Sequence, residues 1–193
     1  MTDYLIRPVR ADEWQRARAI RLDALRDPAA PLAYLDTYEA AVARPDEAWQ
    51  EWSARVSEGG AAGRQFIAEA PDGSWAGSIT VIVERPSDEL RFGAPAKVDQ
   101  THIVGVYVRP EARGTGVTEE LFRAGVEWSW ALPDPVVQRV RLYVHEDNGR
   151  AEAFYRRFGF VATGVRVPVP GVDGLDGADG AMEVEYEIPR ATA

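Results

Sequence analysis

The stretch "VRPEARGTGV", residues 108–117, places a proline-led bend, an arginine and two glycines between an apolar run and the start of a helical pattern. Glycine at 114 and 116 lets a ligand approach the backbone closely, and the first-turn amides of a helix have no internal acceptor. Diphosphate oxygens can hydrogen-bond to such amides, and the helix dipole adds about 0.3–1 kcal/mol per favourable charge at an exposed terminus. A P-loop would need a Lys-Ser/Thr pair after its last glycine, but Gly116 is followed by Val117 and Thr118. A dinucleotide fingerprint would need a third glycine where Glu119 stands, and an early strand-helix-strand unit at the other end of the chain. Arg109 and Arg113 flank the loop as candidate cations, while Glu119 and Glu120 must turn away from any anion held there. Taken alone, "RGTG" is explained almost as well by a tight strand-to-helix turn.

Outward from this loop the pattern alternates between periods of two and 3.6. "KVDQTHIVGVYV" reads as a long strand before it; after it come a helix over "TEELFRAGVEWSWAL", a strand over "VQRVRLYVH", a helix over "GRAEAFYRRF" and a strand beginning at "GFVATG". Upstream, "YLIRPVR" is a short strand. Asp12 is the expected N-cap of a helix whose Trp14, Ala17, Ile20, Leu22 and Leu25 share one face. Pro28 and Pro31 end that helix, and "PDEAWQEWSARVSE" begins another with Pro45 near its first turn. "RQFIAEA" and "WAGSITVIVE" form a hairpin about "PDGS". A loop rich in glycine and aspartate, "PVPGVDGLDGADG", precedes a closing strand, "AMEVEYEI". Helices interleaved with a mainly antiparallel run of strands predict an α/β (α+β) layer fold on a mixed sheet.

The chain of 193 residues has the length of one well-buried domain, expected to span 1–193. Its 46% hydrophobic and 27% charged residues exclude a mainly disordered chain, and the absence of cysteine excludes disulfides, thiolate metal sites and a thiol nucleophile. No histidine-carboxylate spacing suggests a metal site. The net charge of -9, without a basic block, argues against nucleic acid as a partner. No run reaches the length of a membrane span and the N-terminus has no signal-like pattern, so no membrane association and a cytoplasmic location are expected.

Two motifs in order then carry a resemblance. "VYVRPEARGTGV" and "VHEDNGRAEAFYRRFGFVATG" together resemble the GNAT superfamily of acetyl-CoA-dependent N-acetyltransferases over about residues 97–164. The resemblance implies a six- to seven-stranded, mainly antiparallel sheet with a splayed central strand pair and about four helices. It implies a family pattern like P-x-x-R-G-x-G at Pro110 and Arg113–Gly116, with the amides of Arg113, Gly114, Thr115, Gly116, Val117 and Thr118 around the coenzyme's pyrophosphate. Thr118 stands where Gly or Ala is common, and Glu111 where Gln or Arg is frequent; the first narrows the space beside the phosphates.

By the same resemblance, the backbone of Val106 to Val108, through Tyr107, would pair with the pantetheine arm like an added strand, and an amide near Val108 would meet the oxyanion. A second family pattern, N-x-x-A-x-x-F/L-Y-x-x-x-G-F, falls on Asn148, Ala151, Phe154, Tyr155, Gly159 and Phe160. Asn148 would bond the coenzyme arm, and Tyr155 would donate a proton to the departing thiolate. No metal and no covalent enzyme intermediate are implied.

The implied activity is transfer of an acetyl group from acetyl-CoA to a primary amine through a ternary complex. The alternative is a non-catalytic module of the same fold that senses acyl-CoA. His102 is the expected base, ahead of Asp99 on the same predicted strand and Glu69 on a neighbouring one, while His145 reads as a surface or a structural residue equally well. The acceptor, a small-molecule, peptide or protein amine, is expected near Tyr34 and Tyr38 in the segment 27–47. Asp173, Asp176 and Asp179 stand as acids that would favour a cationic amine, with a solvated hairpin loop the simpler account. A homodimer through C-terminal strands is common among such proteins.

Overall fold

A computed structural model describes residues 3–90, 92–169 and 180–191. The chain begins with β1 (Leu5–Pro8), a single 3-10 turn and α1 (Trp14–Arg26). Ala17, Ile20, Ala24 and Leu25 of α1 are buried, whereas Trp14 and Leu22 are half-buried. Asp12 does not cap this helix, because the 3-10 turn carries the helix start past it. Glu13 stands at the N-cap position without a side-chain cap; its carboxylate turns back to the Arg10 amide at 2.9 Å and to the Arg7 guanidinium at 2.7 and 2.8 Å.

Two short helices, α2 (Ala30–Ala33) and α3 (Tyr38–Ala43), fill the irregular segment before α4 (Asp46–Val56). They add to the four longer helices that the sequence pattern carries, and at four and six residues they are too short to show a period. The hairpin of β2 (Gly63–Glu69) and β3 (Trp75–Glu84) follows, then β4 (Gln100–Val108), α5 (Val117–Ala131), β5 (Arg139–His145), α6 (Gly149–Phe158), β6 (Val161–Pro168) and β7 (Met182–Pro189).

The seven strands form one sheet in the order β1-β2-β3-β4-β5-β7-β6. Among the described residues only the β4–β5 pair is parallel, and it is short: Gln100–His102 lie against Arg139–Arg141, and the pairing goes no further. Beyond that point the two strands part, as the expected splay requires.

One sheet face packs against α5 and α6 through Ile79, Val81, Leu121, Phe122, Leu142 and Phe160. Here α5 lies so close that a Cβ at Gly125 would stand 2.9 Å from Ile79 Cδ1. The other face receives α1 through Ile20, Ile67, Trp75 and Tyr107. Strand β4 serves both faces by changing its alternation. Pairing with β3 runs Thr80 to Val104 but Ser78 to Tyr107, so one extra residue is inserted on β4, and Gly105 there has φ +62°. The bulge reverses parity, so Ile103 and Val108, five positions apart, both join the core beneath α5.

Candidate active site

The loop after β4 is built as an open helix terminus. Gly114 and Gly116 have φ of +79° and +93°, a left-handed conformation that glycine adopts without strain. A Cβ at Gly114 would meet nothing within 4 Å, so the space over the loop is clear. The α5 helix begins with Glu120 N–H donating to Gly116 O at 3.2 Å, so the amides from Gly114 to Val117 precede the first helical bond. Glu119 is directed down the helix to Arg123, at 2.8 Å.

Neither flanking arginine is a free cation. Arg109 pairs with Asp23 at 2.6 Å and donates to Trp75 O at 2.7 Å; Arg113 pairs with Asp27 and donates to Val108 O at 2.9 Å. These contacts tie the loop to α1. The local positive character therefore comes from backbone amides and the helix start rather than from these side chains, which corrects the charge role expected for them.

Where β4 and β5 part, the cavity that opens has a volume of about 680 Å³. Its walls include Val106, Tyr107, Asn148, Ala151 and Tyr155, together with Glu84, Phe92, His102, Tyr143 and the α4 residues Trp49 and Trp52. The fold thus brings Val106, Tyr107, Asn148 and Tyr155 together, with Gly114–Thr118 following β4 through the 109–113 bend.

Tyr155 is 8% exposed and packs among Phe122, Phe154 and Phe160. No described group bonds its hydroxyl. Burial pushes its pKa well above the ordinary phenol value, and the neighbouring Tyr34 and Glu183 add to the rise. The group is therefore a neutral acid over the ordinary pH range. Asn148 caps α6, accepting from Ala151 N–H at 3.2 Å, while its Nδ2 donates to Leu32 O at 3.2 Å.

Tyr34, just after α2, reaches across the opening and donates its hydroxyl to Val106 O at 2.7 Å. The carbonyls of Val106 and Val108 thus accept from side chains of the protein itself. Both acceptors lie along the edge that the splay exposes, so an arm pairing at Val106 competes with the Tyr34 hydroxyl for its carbonyl.

His102 is 4% exposed, and its Nδ1 lies 2.9 Å from Glu84 Oε1. Glu84 also accepts from Gln100 Nε2 at 2.7 Å and pairs with Arg141 at 2.7 Å. Burial pushes the Glu84 carboxyl up, but the His102 hydrogen bond and the charges of His102 and Arg141 outweigh it and hold the group at about 2. Of the other carboxylates considered from sequence, Asp99 falls just before β4, and Glu69 is bound to Arg7 at 2.7 Å; neither lines the cavity. Asp173, Asp176 and Asp179 lie outside the described residues. Trp49 and Trp52 line the cavity rather than serving packing alone.

Sequence reasoning missed Glu183. It lies on β7 opposite His145 and lines the same cavity with Tyr155. Its one signal was the alternation of Glu183, Glu185 and Glu187 along "EVEYE", which repeats an acid on one face of a strand. Two further polar atoms are left over on cavity residues: Gln65 Oε1 and Trp49 Nε1 are buried without a hydrogen-bond partner. Among the described residues, no group of three or more His, Asp or Glu side chains is placed to hold a metal ion, and no helix is long and apolar enough to cross a membrane.

A mixed sheet whose central strands part above an open helix start is the frame of an acyl-transfer fold. The chain belongs to the Acetyltransferase (GNAT) family, whose sequence profile matches residues 21–160. A mycothiol acetyltransferase of Pseudarthrobacter chlorophenolicus is 37% identical over 70 residues, 36% of this chain and 20% of that protein. The match therefore spans about a fifth of that relative's length.

Solved structures agree over nearly the whole chain. A GNAT-family acetyltransferase from Streptococcus pneumoniae has a TM-score of 0.71 at 15% identity, covering 96% of this chain and 99% of that one. A phosphinothricin acetyltransferase from Sinorhizobium meliloti, solved with acetyl-CoA, has a TM-score of 0.70 at 16% identity, covering 97% of this chain and 89% of that one. At these identities the likeness is one of fold.

Proposed function

We propose that residues 1–193 work as one domain that transfers an acetyl group from acetyl-CoA to a primary amine by direct attack within a ternary complex. The observation that carries this reading is a set of open amides at Gly114–Val117, following the strand whose Val106 lines one cavity with the unbonded hydroxyl of Tyr155. The clear space over Gly114 suits a diphosphate, and the parted strands suit an extended peptide-like arm. Acetyl-CoA supplies an activated thioester carbonyl.

In this reading Arg113, Gly114, Thr115, Gly116, Val117 and Thr118 hold the pyrophosphate through main-chain N–H groups. Val106, Tyr107 and Val108 align the arm, with Asn148 at its side. Tyr155 gives its proton to the thiolate as the carbon–sulfur bond breaks, a role suited to a phenol kept neutral by burial. Holding amine and thioester side by side supplies most of the acceleration, because it replaces a bimolecular encounter with an effectively unimolecular one. His102, with Nδ1 held by Glu84, lines the same cavity and can reach an amine's proton only through water, so it stands here as a candidate base and not as the assigned one.

Calorimetric titration with acetyl-CoA, wild type beside a Gly114→Asp/Gly116→Asp variant, tests the reading together with thiol release over a panel of amines. We expect tight binding that the double variant loses by at least about 100-fold, and thiol release that falls about 10- to 100-fold in Tyr155→Phe with acetyl-CoA affinity unchanged. Absence of acetyl-CoA binding in the wild type refutes the proposal. Binding with no release from any amine would favour the sensor instead.

A further inference from the structure

Glu183 is a buried carboxylate with no role in the reading so far. It is 9% exposed on β7, and it lies on the cavity wall with Tyr155, Asn148 and Tyr34. No described cation or hydrogen-bond donor meets it. Such burial ordinarily comes with a paired cation or a set of donors.

The titratable groups facing it leave it unpaired. His145, opposite on β5, uses Nδ1 to accept from the Asp147 amide at 3.1 Å. Tyr155 comes from α6 and Tyr34 from the segment after α2, and neither bonds it. Glu185, two residues along β7, is bound to Tyr143 at 2.7 Å and to Arg141 at 3.0 Å. On the β6 side its neighbour is Val167. A lone carboxylate on the wall of a cavity, beside the proposed proton donor, is matched by a ligand that brings its own positive charge.

We propose that Glu183 receives the acceptor's ammonium proton beside the thioester, and that the acceptor therefore enters this cavity as a cationic primary amine. This rests on the acetyltransferase reading. The carboxylate takes one proton from the ammonium, which frees the nitrogen lone pair. The nitrogen–carbon bond forms at the thioester carbonyl, and the carbon–sulfur bond then breaks. The Tyr155 proton goes to the thiolate sulfur. The nitrogen's surplus proton returns to the Tyr155 oxygen, and Glu183 releases its own proton to water, so the net products are an amide, a thiol and one proton.

Burial alone pushes the Glu183 carboxyl from 4.5 to about 7, which suits a base working near neutrality. His102 is placed differently. It lies where β4 and β5 are still paired, four residues before Val106, about 13 Å of extended strand. A proton reaching it must pass through water.

The test compares wild type, Glu183→Gln and His102→Gln. Acetyl-CoA affinity by calorimetry and thiol release by the wild type with cationic and neutral amines test the underlying reading separately. We expect Glu183→Gln to bind acetyl-CoA within about threefold of wild type and to lose about 10²- to 10⁴-fold in kcat/KM for the amine at pH 7.5. The limb of the wild-type pH profile near 7 should disappear in that variant and persist in His102→Gln. The reverse pattern, with the limb lost only in His102→Gln, overturns the proposal. Carbon-13 spectra of glutamate-labelled protein give a readout without turnover: a carboxyl resonance titrating near 7 and missing from Glu183→Gln supports it, and no glutamate titrating above pH 6 overturns it.

Discussion

Replacing Glu183 by Gln should change folding stability in a pH-dependent way, whatever the acceptor proves to be. In the folded protein burial raises this carboxyl from 4.5 to about 7. The folded state therefore binds a proton more tightly than the unfolded chain does. Stability contributed by the neutral form is present below pH 4.5 and is lost as pH rises to 7. Moving the group across that interval corresponds to about 3 kcal/mol, and the small exposure of the side chain leaves little of it to solvent screening. Glutamine has the same shape and no charge, so the variant escapes the loss. Urea unfolding of both proteins at several pH values between 4.5 and 8 measures the difference. The variant should gain about 2–3 kcal/mol relative to wild type between the ends of that range. A difference that stays flat with pH would refute the reasoning, because it would mean that the carboxylate is paired in solution.

Tyr34→Phe removes the donor that occupies Val106 O while keeping the ring. Acetyl-CoA should then bind about 3- to 10-fold more tightly, corresponding to about 1 kcal/mol for one displaced hydrogen bond, and weaker binding by calorimetry would make the hydroxyl a ligand contact instead. Gly125→Val should destabilise by about 1–3 kcal/mol in urea unfolding, because its side chain would meet Ile79 and Val81 across the α5–sheet contact; an unchanged midpoint would contradict that packing. Arg141 and Glu185 are both 1% exposed and paired at 3.0 Å. Arg141→Ala should therefore cost about 3–5 kcal/mol by leaving Glu185 and Glu84 short of a cation, and a loss below about 1 kcal/mol would show that the pair is not isolated from water.

Much of this protein was legible in short windows of sequence because the determining physics is local. Strand and helix periods marked the longer elements, and the glycines of "RGTG" marked a left-handed turn into α5. The spacing from Asn148 to Tyr155 covers two turns of α6, so the cap and the phenol were readable as one unit. The short helices α2 and α3 escaped that reading because they hold too few residues to display a period.

What tertiary structure alone decided are the contacts between elements far apart in the chain. Arg109 and Arg113 looked like free cations in their own segment, but each meets an aspartate, Asp23 in α1 and Asp27 at its C-cap, across 86 residues. Tyr34 reaches Val106 across 72 residues, and Glu84 reaches Arg141 across 57. Glu183 faces the cavity only because β7 inserts between β5 and β6, a strand order that alternation along one strand cannot encode. Sequence determined which residues lie on a common face of each element. Which faces meet, and hence which charges are paired and which carboxylate is left alone, followed from packing of the whole sheet.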